Sequence, residues 1–377
     1  MKLALLTNFV PPYRLPLMEQ LQRRVKRLSV FISTPMEPGR AWPADWGTLS
    51  VRVQRSVAIS SRRRHPHGFT DGVTLHFPYD TVLQLAKFRP DVIVAGELGA
   101  RTLQAVFYRK LQPNSRLIIW ATLSEVSERG CGRLRSLVRP LLLRAADAVI
   151  VNGDSGARYV QSCGTNSERV FRVPYATDLP RFLSQPLVRE YAVRRRLIYS
   201  GQLIQRKGLV PFIVHLAEYA ARHLACRFQF WLAGDGPLRR EIGEFCGPAN
   251  LEIRMLGHLD YSRLPELYSQ AGILAFPTIA DEWGVAVVEA MAAGLPVLGS
   301  VYSQAVEELV RDGQNGWTFR PDDAVQVCDA LSRAFESPVE HIDRMAECAR
   351  LSVRGLDPAS IADRMMEVID YALTHSA

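Results

Sequence analysis

Along this chain, short apolar runs alternate with longer stretches in which apolar positions recur every three or four residues. The first pattern predicts buried strands and the second predicts amphipathic helices. In the first half, strands are expected at Leu3–Thr7, Leu28–Ile32, Val92–Ala95, Leu117–Trp120 and Ala148–Val151. Helices are expected there at Leu15–Arg27, Ala100–Leu111, Leu134–Ala146 and Ser155–Cys163. In the second half the strands are Leu197–Ser200, Phe228–Ala233, Leu251–Met255, Ile273–Phe276 and Val297–Gly299. The helices there are Leu209–His223, Leu238–Phe245, Ser262–Ala271, Val285–Ala293, Asp323–Phe335 and Ile342–Leu351. Strand alternating with helix throughout argues for an α/β protein with parallel sheets covered on both faces. A proline-punctuated stretch from Pro174 to Pro186, followed by the charged run Arg189–Arg196, reads as a linker between two doubly wound halves. Such halves bind ligands at the carboxyl ends of their strands, so the turns there are the places to look for chemistry.

The most informative turn is FPTIADEWGVAVVEAMAAGLPVLGS, from Phe276 to Ser300. The strand should end near Pro277, and a helix should begin near Gly284 and stop at Gly294. Asp281 then lies in the loop and Glu289 within the helix, on either side of a helix N-terminus. Free N–H groups and the positive dipole end make that N-terminus a site for phosphate. Carboxylates flanking it can accept hydrogen bonds from hydroxyl groups. A polyhydroxylated molecule with phosphate in its middle is a nucleotide sugar. Earlier in the same half, Ser200-Gly201-Gln202-Leu203-Ile204-Gln205-Arg206-Lys207-Gly208 joins a strand to a helix. Gly201 permits close backbone approach, and Arg206 and Lys207, both expected to be exposed, could neutralise a diphosphate. Ala233-Gly234-Asp235-Gly236-Pro237 forms a tight turn after a strand, with the proline at the first helical position.

These motifs resemble the retaining glycosyltransferases of family 4, which have the GT-B fold. Their signature is an acidic residue, seven arbitrary residues, Glu-Ala-Met-Ala, a Gly-x-Pro turn and a strand. Glu289-Ala290-Met291-Ala292 and Gly294-Leu295-Pro296-Val297 match it, with Trp283-Gly284 where the family has an aromatic residue and glycine. This register selects Asp281, and not Glu282, as the first carboxylate, although the family usually has glutamate there. The resemblance implies two Rossmann-like domains facing each other across a cleft: residues 1–180 on the acceptor side and 190–357 on the nucleotide-sugar side. Residues 358–377 would form a C-terminal helix crossing back to the first domain, with an apolar stripe at Ile361, Met365, Val368, Ile369 and Ala372. It also implies a metal-independent hexosyl transfer with no cofactor, in which Arg206, Lys207 and the helix N-terminus stabilise the departing diphosphate. Asp281 would hold the donor sugar and Glu289 the ribose. Gly201, Gly234, Gly236, His258, Leu259, Trp283, Gly284 and Val285 would line the donor site, with backbone contacts at His258-Leu259. The first half matches by architecture only. Where many relatives have a Gly-Gly loop after the first strand, this chain has Asn8-Phe9-Val10-Pro11-Pro12-Tyr13-Arg14, and two prolines remove two donors. No histidine follows the strand ending at Trp120. Tyr13, Arg14, Glu97 and Glu125 are the acceptor-side candidates, and His65 and His67 read as surface-loop residues.

Charge adds a direction to this picture. The 377-residue chain carries a net +8, unevenly divided: residues 1–190 hold 28 Lys+Arg against 14 Asp+Glu, whereas the remainder holds 18 against 24. A basic acceptor side suits a glycan or lipid-linked acceptor bearing phosphate or carboxylate, or an anionic membrane surface. In this basic half Arg62-Arg63-Arg64 is the only dense cluster and lacks interleaved aromatics, so nucleic acid is not expected. No apolar run reaches the roughly 18–20 residues of a membrane span, and the start MKLALLTNFV is too short for a secretory segment. The six cysteines are scattered without metal spacing. A cytoplasmic enzyme, in contact with the inner membrane face, is the expectation. No strand-flanked D-x-D is present to hold a divalent cation. The absence of G-x-G-x-x-G after the first strand argues against a nicotinamide-dependent enzyme. A non-catalytic nucleotide-sugar or polyanion-binding protein on the same fold is the alternative.

Overall fold

A computed structural model describes residues 1–37, 44–187 and 189–375. Residues 376 and 377 of the expected C-terminal segment lie outside that description. The chain divides into two compact units, one comprising Met1–Arg63, Gly72–Thr177 and Gly355–Ala377, the other Arg64–Asp71 and Asp178–Arg354.

The first unit is built on β1 (Lys2–Thr7), β2 (Arg27–Ile32), β3 (Val51–Val53), β4 (Ser56–Arg64), β5 (Thr70–Pro78), β6 (Val92–Gly96), β7 (Arg116–Ala121), β8 (Ala148–Val151) and β9 (Val170–Arg172). Seven of these form a sheet in the order β3-β2-β1-β6-β7-β8-β9, its pairs parallel, while β4 and β5 form a separate two-stranded ribbon. Leu3 lies between Leu28 and Val92, and the central strands are buried on both faces, as their unbroken Val/Ile/Leu runs require. From β1 the chain goes one way to β2 and β3, then returns to β6 on the other side. The switch point of this sheet is therefore between β1 and β6. Because such crossovers are right-handed, α1 (Leu15–Arg24) covers one face, and α2 (Thr81–Phe88), α3 (Ala100–Leu111), α4 (Arg133–Arg144) and α5 (Asp154–Ser162) cover the other. The neighbours α2, α3 and α4 pack side by side.

The second unit has β10 (Leu197–Ser200), β11 (Phe228–Ala233), β12 (Leu251–Gly257), β13 (Ile273–Phe276), β14 (Val297–Ser300) and β15 (Gly316–Phe319), in the order β12-β11-β10-β13-β14-β15. All pairs are parallel, with Ile198 between Trp231 and Leu274. Its switch point is between β10 and β13. The helices are α6 (Leu179–Leu183), α7 (Leu209–Arg222), α8 (Arg239–Gly243), α9 (Leu264–Ser269), α10 (Val285–Ala292), α11 (Gln304–Leu309), α12 (Ala324–Glu336) and α13 (Val339–Ser352). Trp317, Phe230 and Phe319 are among its largest buried side chains.

The last helix, α14 (Pro358–Thr374), belongs to the first unit. Asp357 caps it, accepting from the N–H groups of Ala359 and Ser360. Its stripe Ile361, Met365, Val368, Ile369 and Ala372 is buried, and it packs along α1, where Arg24 Nε meets Asp363 at 2.7 Å. Phe171 meets Tyr371 edge to face, with centroids 4.9 Å apart.

Candidate functional site

In the second unit, the loop after β10 and the loop after β13 meet at the switch point. After Gly201 the chain makes a short 3-10 turn, Gln205–Lys207, and Gly208 leads into α7. The Arg206 carbonyl accepts from the Ile279 N–H at 2.8 Å and from Thr278 Oγ1 at 3.2 Å, which knits the two loops together. Lys207 Nζ donates to Asp281 Oδ2, and Arg206 Nη1 pairs with Glu282 Oε2 at 3.3 Å and also reaches the Ala280 carbonyl at 3.3 Å. The expected exposure of Arg206 and Lys207 is corrected here. Their side chains are only 18% and 13% exposed, because each folds back onto a carboxylate of the neighbouring loop. Burial raises the cost of ionising Asp281, yet Lys207 and Arg206 outweigh it and hold the carboxyl below its usual range. Lys207 is lowered by the same burial, against the opposing pull of Asp281.

The helix that follows is placed by Gly284. Its φ is 111°, and a Cβ there would stand 2.8 Å from Ser303 Oγ. Both facts favour glycine at the start of α10. Trp283 is buried, its carbonyl accepts from Ser303 Oγ at 2.5 Å, and the Glu282 carbonyl accepts from Gln304 Nε2 at 2.6 Å. Val285 is the first helical residue. Glu289 lies on the inner side of α10, where Tyr268 of α9 donates to it at 3.3 Å. Burial pushes the Glu289 carboxyl up to about 7, opposed by the hydroxyls of Tyr268 and Tyr261. Asp281 and Glu282 are therefore set apart by environment, one buried and paired with Lys207, the other 41% exposed. Asp281→Asn should reduce activity severely, and Glu282→Gln should leave it within about twofold, a difference of some 0.4 kcal/mol. Parallel turnover measurements check this, and the opposite ranking would move the register by one residue.

The glycine turn after β11 has a packing reason. A Cβ at Gly234, whose φ is 151°, would lie 1.8 Å from the Gly201 carbonyl oxygen. Gly236 similarly abuts the Leu203 carbonyl, and Leu203 N–H donates to Asp235 O at 2.9 Å. His258 and Leu259 follow β12, two strands from β10, and His258 is exposed. The preceding Gly257 joins this end of β12 to the glycine turn, its carbonyl accepting from Gly234 N–H at 2.7 Å.

In the first unit the same topology brings together Asn8, after β1, and Glu97, after β6. Asn8 Nδ2 donates to Glu97 Oε1 at 2.9 Å. Buried Arg101, in the first turn of α3, donates to Asn8 Oδ1 and to Ser33 Oγ at 2.9 Å. Glu97 holds a left-handed backbone, φ 68°, strained for a residue with a side chain. Arg14 lies in the corner between the perpendicular rings of Trp120 and Tyr175, 4.9 and 4.4 Å from their centroids, and donates to the Tyr175 hydroxyl. Tyr13 stacks on Tyr175 at 6.1 Å. Tyr13, Arg14 and Glu97 thus share one neighbourhood. Glu125 stands apart, pairing at 2.7 Å with Arg158 of α5. Asn8, Ser33 and Arg101 were not singled out from the sequence, where a lone arginine opening a helix carries no signal. The surface-loop reading of His65 is also corrected: it is buried, stacked on Phe69 at 4.4 Å, while His67 leans on Tyr302.

Comparison with known proteins now bears on this arrangement. Residues 194–337 match the family described as Glycosyl transferases group 1. The phosphatidyl-myo-inositol mannosyltransferase of Mycobacterium leprae is 31% identical over 343 residues, 89% of this chain and 83% of that protein. The alpha-D-kanosaminyltransferase of Streptomyces kanamyceticus is 28% identical over 193 residues, 48% of this chain and 49% of that one. The chain spans about half the length of this and other curated relatives such as the putative colanic acid biosynthesis glycosyltransferase WcaL of Escherichia coli. Among solved structures, Anabaena HepE in complex with UDP superposes with a TM-score of 0.72 at 16% identity, covering 98% of this chain and 100% of that one. The fold is thus the α/β GT-B class expected from the sequence, with two parallel Rossmann-like sheets. The chain belongs to the group 1 glycosyltransferases.

Proposed function

We propose that this protein is a retaining glycosyltransferase that moves a sugar from a nucleotide-sugar donor to a glycan or lipid-linked acceptor in cell-surface polysaccharide or glycolipid synthesis, at the cytoplasmic side of the membrane. The observation that carries this reading is the convergence at one switch point of Arg206, Lys207, Asp281 and the N-terminus of α10, with buried Glu289 one turn further along. Two cations and a helix N-terminus suit a diphosphate, and carboxylates beside them suit the hydroxyls of sugar and ribose. As the bond from the anomeric carbon to the β-phosphate oxygen breaks, negative charge collects on the leaving diphosphate. Arg206 and Lys207 then stabilise the transition state more than the ground state, which is what accelerates the step. The acceptor hydroxyl oxygen bonds to the same face of the anomeric carbon and its proton passes to the departing phosphate oxygen. Asn8, Glu97 and Arg14 in the first unit supply polar and charged groups for an acceptor.

The protein's own cations do the work that a divalent metal does in other transferases, so turnover should persist at an unchanged rate in excess EDTA. Loss of turnover that added Mg2+ or Mn2+ restores would replace this mechanism with a metal-assisted one. The reading as a whole is tested by thermal shift against UDP-, GDP- and TDP-sugars, coupled to release of free nucleotide. Anabaena HepE is described in complex with UDP and glucose, which makes UDP-glucose the first donor to try. A donor present at 100 times its Kd should stabilise the fold by about 2.7 kcal/mol. Stabilisation without nucleotide release under any acceptor would point to a non-catalytic binding protein on the same fold.

A further inference from the structure

In the first unit, helices α2, α3 and α4 lie side by side over one face of the sheet, so their outer surfaces point the same way. Those outer surfaces are apolar where solvent-facing helices are ordinarily polar. On α3, Leu103, Phe107 and Leu111 recur at a spacing of four and are 55%, 53% and 56% exposed. On α4, Leu134, Leu137 and Leu141 form the adjoining stripe at 74%, 69% and 64%. Leu83 of α2 continues it. These are not the inner stripes of the helices, which are separately buried at Leu85 and Phe88, at Ala105 and Tyr108, and at Leu142 and Leu143. A contiguous apolar patch of this kind marks an interaction surface. Its charge says with what. None of the three helices contains an Asp or Glu, while Lys87, Lys110, Arg133 and Arg144 are exposed on them.

We infer that this face docks the protein on an anionic lipid surface. The leucines and Phe107 enter the boundary between headgroups and acyl chains, and the basic side chains meet lipid phosphates. Among the described residues no helix is long and apolar enough to cross a membrane, so the contact is peripheral. A protein partner would have to match an apolar stripe and an unbalanced row of cations at once, and an anionic bilayer does both without special shape. The inference gives a place to the membrane contact expected from the basic first half, and it stands on the helix surfaces whatever the donor sugar is.

The test is co-sedimentation of the full chain with vesicles of phosphatidylcholine, alone or mixed with phosphatidylglycerol, at low and high salt. Wild-type protein should bind the mixed vesicles at least tenfold more tightly than the neutral ones, and salt should weaken that binding. The triple variants Leu134→Ser/Leu137→Ser/Leu141→Ser and Lys110→Gln/Arg133→Gln/Arg144→Gln should each lose at least tenfold in vesicle affinity. Both alter exposed side chains, so melting and donor-induced thermal shift should stay as in wild type. Equal vesicle binding by wild type and both variants would overturn the assignment, as would no binding by wild type. A wild-type dimer that the leucine changes convert to monomer, without vesicle binding, would make the face a contact between copies and also overturn it. Failure of the glycosyltransferase reading would look different, with vesicle binding intact and no response to any nucleotide sugar.

Discussion

Lys207→Ala should cut turnover at least tenfold at saturating donor and acceptor, a loss of about 1.4 kcal/mol or more in transition-state stabilisation. It should also lower the melting temperature. Lys207 and Asp281 are a buried pair, and removing one partner leaves the other charge uncompensated, which typically costs about 3–5 kcal/mol. The folded-state pKa of Asp281 lies below its ordinary value because of Lys207 and Arg206, so the pair's contribution is present above the unfolded pKa and fades as pH falls through the folded one. The stability gap between wild type and variant should therefore narrow in acid. The two roles separate in the double variant Lys207→Ala/Asp281→Asn, in which no buried charge is stranded. That variant should regain more than half of the lost stability while turnover stays at least tenfold down. Wild-type turnover in Lys207→Ala would remove Lys207 from the reaction, and full recovery of turnover in the double variant, which also lacks the Asp281 carboxylate, would remove both.

The sequence was most legible where burial was two-sided. Runs such as Leu3–Thr7 and Ile273–Phe276 have no solvent face, and the structure places β1 and β13 on them within a residue. The start of α10 was legible because Gly284 and the Glu-Ala-Met-Ala run mark it chemically. Strands without that signature went unseen. β4, Ser56–Arg64, is exposed along most of its length and carries three arginines, so neither alternation nor an apolar run betrays it. β15, Gly316–Phe319, is only four residues, Gly-Trp-Thr-Phe, too short a run to stand out. The helix α2 was missed because eight residues are too few to establish a period. The site shows the same division. Arg206-Lys207 on one loop and Asp281 on another were each singled out from their motifs, but their pairing was not, since it depends on which strands neighbour each other at the β10/β13 switch point. Asn8 and Arg101 lay 93 positions apart and met only through topology.

Glu289→Gln should stabilise the folded protein at alkaline pH while disabling it. The Glu289 carboxyl has an ordinary value of 4.5 and is raised to about 7 by burial on the inner side of α10. Between those values the folded protein keeps a proton that the unfolded chain has released, so stability falls as pH rises through the window. At pH 8 the ionised, buried carboxylate costs the fold on the order of 3 kcal/mol, from the size of that shift. Glutamine fills the same space without a charge, so the variant should melt higher than wild type at pH 8, and the two should converge near pH 5. Activity should move the other way, falling more than tenfold, because the amide offers one neutral acceptor oxygen to vicinal hydroxyls where the carboxylate offers two charged ones. Melting curves at both pH values, with and without a nucleotide-sugar donor, read both effects. A group kept only for packing would behave oppositely, and Glu289→Gln melting below wild type at pH 8 would assign it that structural role. A carboxylate that the fold would be more stable without is retained for what it binds, and its donor should repay part of the cost by hydrogen bonding to it, so wild type should gain more from donor than the glutamine variant does.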